Sequence, residues 1–166
     1  MPELIQKERL QLSLLDRLTD ADPTSEIDKR EDVVIGLSKL RELVQRDLSW
    51  LFNTVSAQST QDLSNYSELP SSCVNFGIVD LSSFSGNLAA LKMLERDLVR
   101  SVKAFEPRII ASTLKIKVEH NEQVMNRNRV TFEISGDLWA QPVPLQLFLR
   151  TEFNLEDGSV SLLHWS

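Results

Sequence analysis

Apolar residues recur through much of the chain at the spacing of amphipathic helices. Over 33–51 they fall on one helical face, and over 87–105 a second set does the same. Asp28 followed by Glu31 resembles a capping pair before the first of these helices, and Asn53 is a typical residue at which to end it. The pattern therefore predicts two long helices separated by a long connection.

Beyond the second helix the period changes from helical to strand-like. Runs at 114–118, 130–134 and 145–153 alternate apolar with polar residues, so one face of each is expected to be buried and the other wet. An Asp-Gly hairpin signal at 157–158 leads into a fourth run at 160–164. The chain is therefore predicted to be an α+β protein, with two long helices followed by an antiparallel β-meander packed on helix.

The first thirty residues differ from the rest, so we divide the chain into a flexible arm and linker, 1–30, and a domain, 31–166. Leu14, Leu15 and Leu18 predict a short amphipathic helix in the arm. That helix could fold back on the domain, or it could insert its leucines into a groove on a partner. An arm on a polar linker is poorly placed to complete the domain's own core, which is an argument for the partner, but on the residues alone both interpretations stay open.

The connection between the two long helices, 54–86, is irregular but carries apolar residues throughout. Long ordered loops are usually functional, and this apolar content predicts that the segment packs against the core. Trp50, Trp139 and Trp165 are also expected to pack in the core or at its edge, although an exposed tryptophan would suit an interface anchor.

The net charge argues against a nucleic-acid partner, and the short apolar runs argue against a membrane-spanning segment. The formal net charge is -6, whereas a nucleic-acid-binding protein needs clustered Lys and Arg to neutralise phosphates. The acidic balance suits solubility or a basic partner surface. No stretch approaches the ~20 apolar residues needed to cross a bilayer, and the amino terminus lacks the features of a secretion signal. We expect a cytoplasmic protein that binds no nucleic acid and does not insert into a membrane.

The residue types give no sign of a cofactor or metal site. His120 and His164 are isolated, and the glycines are scattered and form no phosphate-binding loop. Cys73 is the only cysteine, which excludes an intrachain disulfide, and we expect it to be a small buried hydrophobe. No cofactor, no metal and no small-molecule substrate are expected.

The second helix meets the first strand at Glu106-Pro107-Arg108. Proline disfavours the α conformation in the residue before it, and its fixed φ stiffens the turn. Residues two apart in an extended chain point to the same side, so Glu106 and Arg108 are expected to project together from a rigid corner. Two interpretations remain open: a salt bridge that closes the corner, or a fork of donors and acceptors offered to a partner chain.

Several stretches together resemble one family. RDLSWLFNT at 46–54, YSELPSSCVNFGIVDLSS at 66–83 and FEPRI at 105–109 look like the contractile-phage baseplate wedge family. The opening SLLDRLTDADP at 13–23 resembles the bacterial members of that family, which belong to type VI secretion baseplates. The resemblance covers almost the whole chain in the right order.

The loop Asn75-Phe76-Gly77 is part of this resemblance and is expected to be structural. Family members often have a tyrosine where Phe76 stands, so one hydrogen bond of the loop is in doubt. Cys73 and Val79 depart from the family pattern as well, since an apolar residue and a proline are common at those positions.

The resemblance implies a structural subunit of a cytoplasmic baseplate. Its partners would be other wedge subunits and contractile sheath subunits, because family members resemble part of the sheath subunit and can template the first sheath ring. The family's Glu-Pro-Arg motif is associated with assembly contacts, and it corresponds here to Glu106, Pro107 and Arg108. An open sheet edge could accept strands from neighbouring subunits, although the sequence does not indicate which edge is open.

Two other interpretations remain open. The family has long carried a lysozyme-like label, and a glycoside hydrolase needs two carboxyl groups ~5 to 10 Å apart, one of them kept protonated. Glu106 is the best candidate acid, but Arg108 beside it favours the ionised carboxylate, and no second carboxylate stands out. The third interpretation is an adaptor unrelated to that family. We expect a structural protein and not an enzyme.

Overall fold

The computed structural model describes six stretches of the chain: 13–19, 36–81, 88–119, 129–139, 144–154 and 159–165. The predicted cap at Asp28 and Glu31 and the predicted hairpin turn at 157–158 lie outside these stretches, as do the arm before residue 13 and its linker.

The described residues contain three α-helices, α1 (Leu14–Leu18), α2 (Leu37–Phe52) and α3 (Leu88–Phe105). The helix predicted over 33–51 thus corresponds to α2, which ends at Asn53 as expected. The N–H of Asn53 donates to the carbonyl of Ser49 at 3.1 Å and closes the last turn.

Four strands form one antiparallel sheet in the order of the chain: β1 (Lys115–Glu119), β2 (Arg129–Leu138), β3 (Leu145–Asn154) and β4 (Val160–Trp165). A β-bulge interrupts the register between β3 and β4. Along β2 and β3, buried residues alternate with more exposed ones over most of each strand, as their sequences predict. The predicted α+β architecture, two long helices followed by a β-meander, is confirmed.

The core lies between α2, α3 and the inner face of the sheet. The side chains of Phe52 and Phe132 meet edge to face across it, with ring centroids 5.4 Å apart. Its most deeply buried apolar residues come from all of these elements: Val44, Leu48, Leu98, Val102, Val130, Ile134, Leu138 and Leu149. Helix spacing in the first half of the chain and strand alternation in the second half therefore supply one common core.

The connection between α2 and α3 packs against the core only in part. Leu63, Ile78 and Leu81 are buried, as the sequence predicts, and Ile78 pairs with Val55 in a short parallel bridge. Three short 3₁₀ turns carry the chain between these anchor points. Because these turns keep part of the segment at the surface, other apolar residues of it, such as Tyr66, are exposed to solvent.

Three expectations of burial are wrong. Cys73 is exposed, because the inward position of its 3₁₀ turn is taken by Asn75. Trp50 is 48% exposed, since the buried face of α2 is filled by its leucines, and Trp139, which follows β2, is 57% exposed. The side chain of Trp165 is not among those that the structure describes.

Candidate functional site

Glu106, Pro107 and Arg108 form a corner that main-chain hydrogen bonds fix at both ends. The N–H of Glu106 donates to the last turn of α3, at 2.9 Å from the carbonyl of Val102. On the other side, the N–H of Trp139 donates to the carbonyl of Arg108 at 2.7 Å, so the corner is joined to the end of β2. The turn between helix and sheet is therefore rigid, as its proline predicts.

The two charged side chains of the corner bind each other. Nε of Arg108 lies 2.6 Å from Oε1 of Glu106, and its Nη2 lies 2.6 Å from Oε2. The Glu106 side chain is only 3% exposed, and that of Arg108 is 21% exposed. The salt-bridge interpretation thus describes the geometry, and the idea that Glu106 faces outward is wrong, because its carboxylate is turned back onto the guanidinium. Pro107 is exposed.

The corner continues into a row of alternating charges, which we call the charge row: Glu106, Arg108, Asp47, Arg46 and Asp16. Nη2 of Arg108 also lies 2.5 Å from Oδ2 of Asp47. The other oxygen of Asp47 accepts from Nε of Arg46 at 2.9 Å. Nη1 of Arg46 then reaches Oδ1 of Asp16 in α1, at 2.5 Å. The sequence indicates the pair of Glu106 and Arg108 but not the rest of the row, because the contacts that join Asp16 to Arg46 and Asp47 to Arg108 span 30 and 61 positions of the chain.

The ion pairs of the row shift the pKa values of Arg108, Arg46 and Asp16. Burial alone would lower the pKa of Arg108, but the hydrogen bonds and charges of Glu106 and Asp47 outweigh it and raise the pKa. The hydrogen bond to Asp16 raises the pKa of Arg46 against the opposing effect of burial. The same bond lowers the pKa of the Asp16 carboxyl. These ion pairs therefore favour the charged forms of Arg108, Arg46 and Asp16.

The arm reaches the domain through this row. Helix α1 is tied to α2 by Asp16, whereas the side chains of Leu14, Leu15 and Leu18 are 70%, 52% and 75% exposed. We call these three residues the leucine face. The fold-back and the partner interpretations are thus compatible, because the helix lies against the domain and keeps its apolar residues in solvent.

The lowered pKa of Asp16 predicts that α1 docking depends on pH. A carboxyl whose folded pKa lies below its unfolded value, about 3.9, stabilises the folded state above that value, and this contribution is lost as the pH falls through the folded pKa. We expect amide hydrogen exchange in α1, corrected for intrinsic rates, to accelerate below about pH 4. Asp16→Asn should lack this acceleration. Protection of wild-type α1 that stays constant into this acid range would contradict the prediction.

The loop Asn75-Phe76-Gly77 joins the segment after α2 to α3. The side-chain amide of buried Asn75 accepts from the N–H of Gln58 at 2.9 Å and donates to the main-chain carbonyl of Pro70 at 3.0 Å. Ser101 of α3 donates its hydroxyl to the carbonyl of Gly77 at 2.9 Å. The rings of Phe76 and Phe105 pack edge to face with centroids 5.4 Å apart. These contacts fix the end of α3, from which the corner starts.

Gly77 occupies a position that a residue with a side chain could take only with strain. Its φ is +130°, and a Cβ built there would lie 2.5 Å from the carbonyl oxygen of Thr54 and 2.8 Å from the nitrogen of Ser56. This close approach allows the main-chain hydrogen bonds that pair Ile78 with the segment 54–56. Glycine is required here for two reasons: the backbone has a positive φ, and a neighbouring backbone segment lies too close for a Cβ.

The site is poorly suited to glycoside hydrolysis. A general acid must reach the leaving oxygen of its substrate, but the Glu106 carboxylate is buried and both its oxygens accept from Arg108. Within the part of the chain that the structure describes, no three His, Cys, Asp or Glu residues gather in a way that could hold a metal ion. None of the described helices is long and apolar enough to span a bilayer.

The arrangement is typical of an assembly subunit: a stiffened corner, an ion-pair network and an exposed apolar helix face. Comparison with protein families agrees with this class. The family model described as baseplate wedge protein gp25 matches residues 38–143, which is more than half of the 166-residue chain, and the chain belongs to that family. No curated protein and no solved structure matched the chain.

The matched region begins in α2 and extends past β2, so it contains the corner, the loop at 75–77 and all of the charge row except Asp16. The leucine face lies outside it. Baseplate wedge proteins are structural, and a role in assembly with other baseplate subunits follows from the family.

Proposed function

We propose that this chain is the wedge subunit of a type VI secretion baseplate, of the kind called TssE, and that it binds other wedge subunits and helps to initiate the contractile sheath in the cytoplasm. Family membership supports the baseplate role. The resemblance of its opening segment, SLLDRLTDADP, to type VI secretion members supports the particular apparatus.

The observation that carries the proposal is the leucine face. Monomeric proteins seldom leave neighbouring large apolar side chains on one short helix in solvent without a partner for them. Leu14 and Leu18 are one helical turn apart, the spacing at which a helix packs against an apolar groove or a second helix. The partner is therefore a wedge subunit that offers an apolar helix or groove.

The corner supplies a second contact. Because Glu106 is buried, it acts on a partner indirectly, by holding the Arg108 guanidinium in one orientation. The groups left for a neighbouring chain are exposed Pro107 and the accessible fraction of Arg108. This division of roles replaces the outward-facing fork that the sequence suggested.

The sheet offers two edges, β1 and β4, to strands of sheath subunits. The edge of β4 is occupied at its first residue, because the amide of Asn53 accepts from the N–H of Val160 at 2.9 Å and donates to its carbonyl at 3.3 Å. A side chain there takes the place of one residue of an added strand. Strand addition would therefore use β1 or the part of β4 beyond Val160.

The double substitution Leu14→Ser with Leu18→Ser tests the leucine face. We expect the affinity for purified wedge subunits, measured by calorimetry, to fall about tenfold or more, because two apolar anchors are lost. The free energy of unfolding should change by less than about 0.5 kcal/mol, since both side chains are already exposed.

Met93→Ser is the matched control, because Met93 is an exposed apolar residue on α3 and does not belong to the leucine face. It should leave the affinity unchanged. Equal affinities for the double variant and the wild type would show that the leucine face is not the contact.

A further inference from the structure

We propose that the ion pair between Asp16 and Arg46 is a latch that positions the leucine face for its partner, an inference that rests on the proposed function. In this view the arm is a fixed platform on the domain surface and not a free tether. Asp16 and Arg46 are positioning residues: they act on the partner by orienting α1, without touching the partner themselves.

The Asp16 carboxylate both builds and anchors the helix. Its Oδ2 accepts from the hydroxyl of Ser13 at 2.5 Å, and the hydroxyl of that N-cap residue in turn accepts from the N–H of Asp16 at 3.3 Å. Its Oδ1 binds Arg46 of α2. A helix of five residues is far shorter than the ~12 to 15 residues needed for stability alone. Its helical state therefore depends on this anchor.

Helix geometry turns the leucines away from the domain. Successive residues of an α-helix are about 100° apart around the axis. Leu14, Leu15 and Leu18 fall within about 100° of arc, and Asp16 lies about 150° from its centre. The Asp16 side chain is 9% exposed, so the side of the helix that carries it faces α2. Anchoring at Asp16 thus directs the leucine face into solvent.

The Arg46 side of the latch is held in place by two neighbours on α2. The Arg46 guanidinium lies 4.7 Å above the ring of Trp50 and binds Asp47 with Nε. Asp47 uses its other oxygen for Arg108, so the row extends to the corner. The leucine face and the Glu-Pro-Arg corner therefore stand in a fixed relation, which lowers the ordering cost of a partner that binds both.

The test uses the full chain with Arg46→Gln, which opens the latch and leaves the arm sequence intact. Asp16→Asn opens the same latch from the other side. The matched control is Glu42→Gln, which removes an exposed ion pair with Lys39, 3.0 Å long, from the same helix α2. Hydrogen exchange of α1 is measured in the isolated chain, and affinity for purified wedge subunits is measured by calorimetry.

Both latch variants should accelerate exchange in α1 and weaken partner binding, each by about three- to fivefold, the range expected for one ion pair. Glu42→Gln should change neither quantity. If the latch variants bind as tightly as the wild type, or more tightly, the positioning role is overturned while the proposed function stands. If wild-type protein binds no wedge subunit, the proposed function fails and the latch proposal fails with it.

Discussion

Glu106→Ala should lower the free energy of unfolding by about 3 kcal/mol, the lower end of the range for breaking a buried ion pair. The substitution removes a carboxylate that is 3% exposed and that binds two nitrogens of the Arg108 guanidinium. Arg108 still keeps Asp47, which limits the loss. Urea denaturation followed by circular dichroism measures the change.

Glu42→Ala is the matched control, because Glu42 is also a paired carboxylate but is 65% exposed. Its loss should be less than about 1 kcal/mol, as is typical of surface ion pairs. Equal losses in the two variants would contradict a structural role for the Glu106 carboxylate. An assembly defect in a Glu106 variant must therefore be compared with its stability, and Pro107, which is exposed, is the better position for testing contact at the corner.

Gly77→Ala should lower the free energy of unfolding by about 3 kcal/mol, by combining an unfavourable φ with a steric clash. The clash is with the backbone of Thr54 and Ser56, which cannot move aside without breaking the bridge between Val55 and Ile78. We expect the end of α3 to loosen as well, because a shift of the loop at residue 77 would move the main-chain carbonyl that accepts from the hydroxyl of Ser101. Thermal and urea denaturation give the loss, and hydrogen exchange of α3 gives its location.

Gly36→Ala provides the comparison for Gly77. A Cβ at Gly36 meets nothing within 4 Å, so only the weaker capping ability of alanine before α2 remains, at a cost of less than about 1 kcal/mol. A Gly77→Ala protein as stable as the Gly36→Ala protein would show that the loop tolerates a side chain.

The elements of the fold could be predicted because each carries its own period. The helical spacing of α2 and α3 and the alternation of the strands are local properties. The ends of the two helices are also marked locally, by Asn53 after α2 and by Pro107 after α3. The order of the strands followed from the short connections of a meander. These features need no knowledge of distant contacts.

The candidate site depended on contacts that no local pattern reveals. Asp16 and Arg46 are 30 positions apart, and Asp47 and Arg108 are 61 apart, so nothing in either neighbourhood marks them as partners. Dependence on distant contacts also explains why the expected burial of Trp50 was wrong. An apolar residue is usually buried, but the face of α2 that is buried is set by the sheet and by α3, which lie far along the chain.

Complex formation with subunits of the proposed apparatus tests the central claim most directly. The tagged chain is co-expressed with the wedge and sheath subunits of a type VI secretion apparatus, and the mass of the purified material is measured by native mass spectrometry. We predict a complex of this chain with wedge subunits that is depleted when Leu14 and Leu18 are both replaced by serine. A wild-type chain recovered alone, folded and with every wedge subunit left behind, would contradict the assignment.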